Sequence, residues 1–348
     1  MTSTPPTTVR PTAADEPPVP RRVRGQGLLV VLGLLAAAPA VVATWLRVVP
    51  PATDRLAKVA AFLPYGLVFW LPALVLLGIA GVRALRHRTP GRAALSLLAL
   101  LCAAGLAASV AWEAPAFVAD RRPVTSGTLT VVSLNVAGTA DPAAAARAAA
   151  GADVAVFVEA HRGWVGTLPR SFRAEFPYLA PADDSDDRDA DTVVFSRHPL
   201  VSATALPPSN YQQWSAVVRT PQLGPVRVVA AHPCNPYCRP GLWIQDAAQL
   251  RGWLAAHRDT PTIVAGDFNA VDDHLTMREL YADGFLSAAD LAGAGFVRTW
   301  PADRWFPPLI GIDHVLVTPD LTATAFGTFR VPGTDHLGVR AVIAGAGR

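Results

Sequence analysis

The chain of 348 residues is short of charge: Asp, Glu, Lys and Arg make up 16% of it, against 51% hydrophobic residues. That balance excludes an ordinary soluble domain. Cysteine is scarce too, with three in all, too few for a disulfide scaffold. Cys102 lies in an apolar run and reads as a small buried residue. Cys234 and Cys238 sit close together in His232-Pro-Cys-Asn-Pro-Tyr-Cys-Arg239. No second close pair exists to complete a four-ligand zinc site, and a small disulfide in an oxidising compartment is favoured over a metal site. Cationic charge is missing from the second part. Val124–Arg348 holds 17 Lys and Arg against 22 Asp and Glu, whereas Met1–Pro123 holds 13 against 5. An acidic second part argues against non-specific nucleic-acid binding, which needs cations facing phosphates. Apart from the apolar runs, the chain has no internal repeat.

Three stretches carry no charge at all: residues 27–46, 59–82 and 93–112. Twenty residues of helix reach roughly 30 Å, the thickness of the hydrocarbon layer, so each is expected to span a membrane. Pro64 and Pro72 are expected to kink the second. A signal peptide is the alternative for the first run, since Ala38-Pro39-Ala40 resembles a cleavage site, but the run continues to Leu46. Arg21, Arg22 and Arg24 precede the first run, and Arg83, Arg86, Arg88 and Arg92 fill the loop between the second and third. Cationic loops stay cytoplasmic, so three crossings carry everything after Trp112 outside. The loop after the first run holds Arg47, Arg55 and Lys58, which weakens that bias without reversing it. The expected organisation is a disordered cytoplasmic tail (1–26), a three-helix transmembrane segment (27–112), a tether (113–127) and a catalytic domain (128–345).

The second part reads as strands with interspersed helices, the pattern of a layered α/β fold rather than a strictly alternating, doubly wound one. Strands are expected at Thr128–Val136, Val154–Val158, Thr192–Phe195, Ser215–Arg219, Val226–Ala231, Thr262–Ala265, Ile312–Val317 and Val339–Ile343. Asp141-Pro142 marks a helix start, with Asp capping and Pro in the first turn, and Leu242–His257 has helical periodicity. Asp183–Asp191, with six Asp and one Arg, reads as a solvated acidic loop. Polar residues recur at strand ends: Asn135, Glu159, His232, Asp267, Asn269, Asp313 and the Asp335-His336 pair. One such residue alone is ordinarily a turn former or a solvated group. Seven such positions along successive strands point to a common edge, where loops carry function.

Ser133-Leu134-Asn135, Val158-Glu159, Phe195-Ser196-Arg197, His232, Gly266-Asp267-Phe268-Asn269, Ile312-Asp313-His314 and Thr334-Asp335-His336 resemble, in order, the motifs of the endonuclease/exonuclease/phosphatase superfamily. The resemblance covers Thr128 to Ile343 and implies a two-sheet, four-layer sandwich with helices outside. It implies that Glu159 is the principal ligand of Mg²⁺ or Mn²⁺, hard cations that take carboxylate oxygen and keep waters, with Asp335 as a second acidic residue at the metal. Asn135 and Asn269 are implied to hold metal ligands and phosphate oxygens, and Asp267 to orient and activate the attacking water. His336, fixed by Asp313, and His232, a proton donor or phosphate ligand, complete the implied set.

Three features depart from the nuclease branch. No carboxylate follows Asn135 in Val136-Ala137-Gly138, two cysteines and extra prolines follow His232, and Gly311 stands where related bacterial sequences often have Arg. Three apolar runs before this domain resemble VanJ-type proteins associated with teicoplanin resistance. That resemblance implies an outward-facing phosphatase acting on a lipid-linked phosphate such as a polyprenyl pyrophosphate. A surface nuclease, a phospholipid phosphodiesterase and a non-catalytic sensor are the alternatives. Trp243, Trp300, Trp305 and Phe306 are expected either at the interface and cleft mouth or in the core.

Overall fold

A computed structural model describes residues 24–120, 122–181 and 191–347. The expected tail through residue 23 and acidic residues 183–190 lie outside them. The described chain forms two compact units, one of residues up to Val41 with Leu67–Ala107, the other of Val42–Gly66 with Ala108 onward.

The first unit is built of apolar helix. Three segments are long and apolar enough to cross a membrane: Gln26–Val48, Leu63–Arg86 and Arg92–Phe117, with mean hydropathies of 2.3, 2.1 and 2.2. Long side chains such as Leu35 and Leu100 face outward, while Ala40, Trp70, Ala73, Leu77 and Cys102 pack inside. Gly105 permits that packing, since a Cβ there would lie 2.5 Å from the Trp70 ring. The second apolar run, expected as one kinked helix, is broken into Asp54–Ala60, Leu63–Leu67 and Trp70–Arg86. Pro64 and Pro72 lack the N–H that would continue the ladder across each break.

Among the described residues the second unit holds twelve strands: β1 Val124–Asn135, β2 Val154–Val158, β3 Tyr178–Ala180, β4 Thr192–Ser196, β5 Leu200–Ala205, β6 Trp214–Thr220, β7 Gly224–Ala231, β8 Thr262–Asp267, β9 Leu286–Ser287, β10 Asp313–Val317, β11 Leu321–Arg330 and β12 Leu337–Ala346. They form two six-stranded sheets, ordered β11-β12-β1-β2-β4-β3 and β5-β6-β7-β8-β10-β9. Each sheet is antiparallel except for one central parallel pair, β1 with β2 and β7 with β8. Mixed sheets with both faces covered need strands that are apolar on both sides, and β2, β8 and β10 are buried at every position.

Side-chain alternation sorts the core into three packed interfaces. Val131, Val154, Val156, Val339 and Ile343 of the first sheet meet Val226, Val228, Ile263, Val315 and Val317 of the second. The outer face of the first sheet, with Val132, Leu134, Phe157 and Phe195, packs against Ala145, Trp164 and Phe172 from the flanking helices. The outer face of the second sheet, with Val229, Val264 and Leu316, packs on Trp243, Leu250 and Leu254 of the helix Leu242–Ala256. The result is the expected four-layer sandwich. Asp141 caps the helix Pro142–Ala149 by accepting from the Ala144 N–H at 2.8 Å. Trp243 lies wholly inside the core.

Residues 113–127, expected as a tether, are pinned to the unit. Gly295 N–H donates to Ala116 at 2.7 Å and Asp120 N–H to Leu291 at 2.8 Å, while β1 begins at Val124 rather than Thr128. β1 extends because Val124 and Thr128 pair with Ala346 and Ala344 of β12.

Candidate active site

The period of two that sorts the core also places the polar residues. Val131, Ile263 and Val315 point between the sheets, so Asn135, Asp267 and Asp313, two or four residues along, do so as well. His232 continues the inward series Val226, Val228, Ala230 one step beyond β7. All converge at one rim of the inter-sheet seam.

Asn135 is the hub. Its amide nitrogen donates to Glu159 Oε1 at 3.0 Å and Asp267 Oδ2 at 3.1 Å, while its oxygen accepts from Ala137 N–H at 2.8 Å. Asp267 Oδ2 lies 3.9 Å from His232 Nε2 and 3.8 Å from His336 Nε2, so a carboxylate stands between two imidazoles. His336 Nδ1 meets Asp313 Oδ2 at 2.9 Å, and its Nε2 lies 3.8 Å from Asp335 Oδ1. Asp335 is held by the Trp300 indole N–H at 2.9 Å, and Thr334 joins this loop to β1 by donating to the Asn135 carbonyl at 2.7 Å. The structure therefore brings seven of the sequence-expected residues into one linked cluster. Asn269, the eighth, borders it differently. Its backbone N–H donates to Asp267 Oδ1 at 2.8 Å and its amide nitrogen to the Pro233 carbonyl at 3.1 Å, so it braces the His232 loop.

Burial and charge set the protonation states. Burial pulls the His336 imidazole down, but the Asp313 and Asp267 carboxylates overcome it and hold the group up at about 10. Burial likewise opposes charging of His232, yet Asp191 with Asp267 and Glu159 raises it. Burial pushes the Asp267 carboxyl above the usual carboxylate range against the pull of the His336 cation. Glu159 and Asn269 adopt left-handed backbone, with φ of 53° and 49°, a strained choice for Glu that accompanies functional geometry.

Sequence reasoning missed several contributors. Asp191, expected in a solvated loop, bonds His232 Nδ1 through Oδ2 and is mostly buried. It immediately precedes β4, the strand beside β2, so the pairing of Thr192 with Val158 brings it next to Glu159. Tyr211 stacks on His232 with ring centroids 4.3 Å apart and planes 7° apart. Gln213 Oε1 accepts from the His232 backbone N–H at 2.9 Å. Buried Asp246 accepts from Cys234 N–H at 3.2 Å and Asn210 N–H at 3.1 Å. None of these lies at a strand's C-terminal end, the signal that revealed the others. Cys234 and Cys238 are disulfide-bonded, as favoured. Two glycines have steric reasons. At Gly266 φ is 152° and a Cβ would lie 2.0 Å from the Ala231 carbonyl, and at Gly311 one would lie 2.3 Å from the Val297 carbonyl, which explains why arginine is absent there.

A divalent cation fits the donor set. Glu159 keeps its carboxylate 42% exposed beside the Asn135 amide, an open oxygen donor of the kind a hard cation with several waters takes. Asp267, Asp313 and His336 form the one three-residue cluster of ligand-type atoms within 4.8 Å among the described residues. There, however, Asp313 and His336 already engage each other, so the trio is better suited to proton handling than to chelation.

Residues 132–336, more than half of the chain, match the Endonuclease/Exonuclease/phosphatase family. The chain belongs to that family, whose members hydrolyse phosphoesters and generally use a divalent metal. No curated protein matches it in sequence. Solved structures are similar to the chain. The endonuclease/exonuclease/phosphatase from Beutenbergia cavernae is 22% identical, covering 65% of this chain and 72% of its own at a TM-score of 0.48. That from Bacteroides vulgatus is 15% identical, covering 63% and 99% at a TM-score of 0.50.

Proposed function

We propose that the chain is a membrane-anchored, divalent-metal-dependent phosphohydrolase whose active site lies outside the cytoplasm and acts on a lipid-linked phosphate or pyrophosphate. The observation that carries this reading is the convergence of Asp267, two carboxylate-backed histidines and Glu159 around Asn135. Glu159, with Asp335, would hold Mg²⁺ or Mn²⁺, which supplies charge neutralisation at the phosphoryl oxygens. Asp267, kept basic by burial, orients the attacking water and takes its proton. His336, held cationic by Asp313, donates to a phosphoryl oxygen, and His232, backed by Asp191, delivers a proton to the leaving oxygen.

Location and substrate are supported by three further observations. Segment 54–65, which leads into and opens the second apolar run, belongs to the unit of the catalytic strands. Asp54 accepts from Gly241 N–H at 2.9 Å and the Ala57 carbonyl pairs with His274 Nε2 at 2.8 Å. These bonds support a topology in which the first loop and the catalytic domain share one side of the membrane, as three crossings would have it. The disulfide agrees with an oxidising compartment, and the Arg-rich loop 83–92 agrees with the opposite face being cytoplasmic. An enzyme anchored this way meets lipid headgroups at high effective concentration. The resemblance to VanJ-type proteins points to the same substrate class.

The test is phosphate release by full-length protein from a polyprenyl pyrophosphate, DNA and a phospholipid, with and without chelator. Release confined to the first and abolished by chelator is expected. Preferred cleavage of DNA or of the phospholipid headgroup would replace the substrate assignment, and no hydrolysis of any would leave the sensor alternative.

A further inference from the structure

Of the large apolar side chains exposed on the catalytic unit, five form two groups that a chain of contacts links. Leu56, Val59 and Phe62 face outward from segment 54–62, while their neighbours Ala57 and Ala60 are fully buried. The spacing of three puts the exposed trio on one face of a helical turn. The other group consists of Tyr237, 76% exposed, and Trp305, 96% exposed.

These two aromatics are not scattered surface residues. Tyr237 stands on the disulfide-closed loop that begins at His232 and Pro233. Trp305 stands on the loop whose base is tied to Asp335, through Trp300 Nε1 at 2.9 Å and Ala302 N–H at 2.6 Å. The two loops therefore start from the two histidine-bearing segments that flank Asp267 in the catalytic cluster. The first is also fastened to the segment that carries the apolar trio, and the second to the first turn of the helix that follows it. Lys58 Nζ sits 3.6 Å from the Tyr237 ring centroid, and the Tyr65 hydroxyl donates to the Leu309 carbonyl at 2.7 Å, on the return arm of the Trp305 loop. Segment 54–62 is itself bounded in sequence by two helices apolar enough to cross a membrane, Gln26–Val48 and Leu63–Arg86. It can stray only a few residues' length from the bilayer at either end.

We infer that Leu56, Val59, Phe62, Tyr237 and Trp305 form a collar that docks on the lipid bilayer surface, so that the catalytic cleft opens at the headgroup layer. Rings with an apolar body and one polar tip favour that layer, and Trp305 left in water would hold its whole indole unburied. The inference rests on the proposed membrane anchoring and deepens the substrate reading: the cleft receives a phosphate presented by a membrane lipid.

Full-length protein is reconstituted in phosphatidylcholine–phosphatidylglycerol vesicles, in a Cys102→Ala background that keeps the disulfide. An environment-sensitive fluorophore is placed on Trp305→Cys, Val59→Cys and, as a control on exposed strand β5, Val201→Cys. The first two are expected to be quenched by spin-labelled lipid and shielded from aqueous iodide, with the control showing the reverse. A separate Trp305→Ser/Tyr237→Ser variant is expected to hydrolyse a water-soluble chromogenic phosphate ester within twofold of wild type. It should lose at least tenfold on a polyprenyl phosphate substrate in vesicles, and recover when detergent presents that substrate in solution. Iodide access at 305 and 59 equal to that at 201 would overturn the inference, even if the lipid phosphate is hydrolysed. Labels shielded by lipid with no lipid-phosphate hydrolysis would leave the collar standing and sink the substrate reading.

Discussion

Asp191→Asn tests whether His232 works as half of a charge-assisted pair. The carboxylate contacts His232 Nδ1 where the two side chains are only 16% and 2% exposed, and asparagine keeps the shape while removing the charge. A hydrogen bond to a charged group contributes about 1.5–3 kcal/mol, which at 1.4 kcal/mol per decade is roughly a 10- to 150-fold loss of rate. The loss should fall on kcat with KM little changed, because the imidazolium is needed where charge develops on the leaving oxygen. His232→Ala alone is expected to cost about 10²–10⁴-fold, the range for a general acid. Adding Asp191→Asn to it should cost nothing further, since the carboxylate acts through the ring. Steady-state kinetics on a chromogenic phosphate ester, with the three variants side by side, make the measurement. A single Asp191→Asn variant within threefold of wild type, or a double variant whose loss is the product of the two singles, refutes the pairing as a functional unit.

Gly266→Ala should destabilise the catalytic unit by about 3 kcal/mol or more, because its Cβ would enter the Ala231 carbonyl of the neighbouring parallel strand; urea unfolding in detergent reads this, and a change below 1 kcal/mol, by the same overpacking scale, refutes it. Burial holds His274 down at about 4, against the smaller effect of its bond to the Ala57 carbonyl. A folded-state value below the unfolded value means that stability present above roughly pH 6.5 is lost as pH falls through about 4, by about 3 kcal/mol in total. A His274→Leu variant should lack that slope in unfolding measured across the same window. Glu159→Gln should weaken Mg²⁺ binding by calorimetry at least about tenfold without unfolding the domain, and an unchanged affinity would remove Glu159 as the ligand.

The sequence exposed the strands that are buried on both faces, because runs such as Val-Ala-Val-Phe-Val at Val154–Val158 leave no other fate for five apolar residues. It concealed β5 and β11, whose positions are mostly exposed and carry Ser, Thr and Ala rather than branched apolar residues. At the site, residues ending central strands were legible because strand parity carries them to the seam. Asp191 was not. It is one acid among six in its stretch of sequence, and only the antiparallel pairing of β4 with β2 distinguishes it. Nor could the sequence show that segment 54–65 belongs with the catalytic strands, since the bond from His274 to the Ala57 carbonyl joins residues 217 positions apart.

The position of β1 between β2 and β12 governs when the polar cluster can be completed. Asn135, which ties Glu159 to Asp267, lies on a strand whose other flank stays bare until Leu337–Ala346 arrives to zip against it. A growing chain that has already emerged with Glu159, His232 and Asp267 therefore still lacks the strand that flanks Asn135. Loss of Leu337–Ala346 would strip Asn135's strand of one flank and so undo the cluster without touching any of its polar side chains.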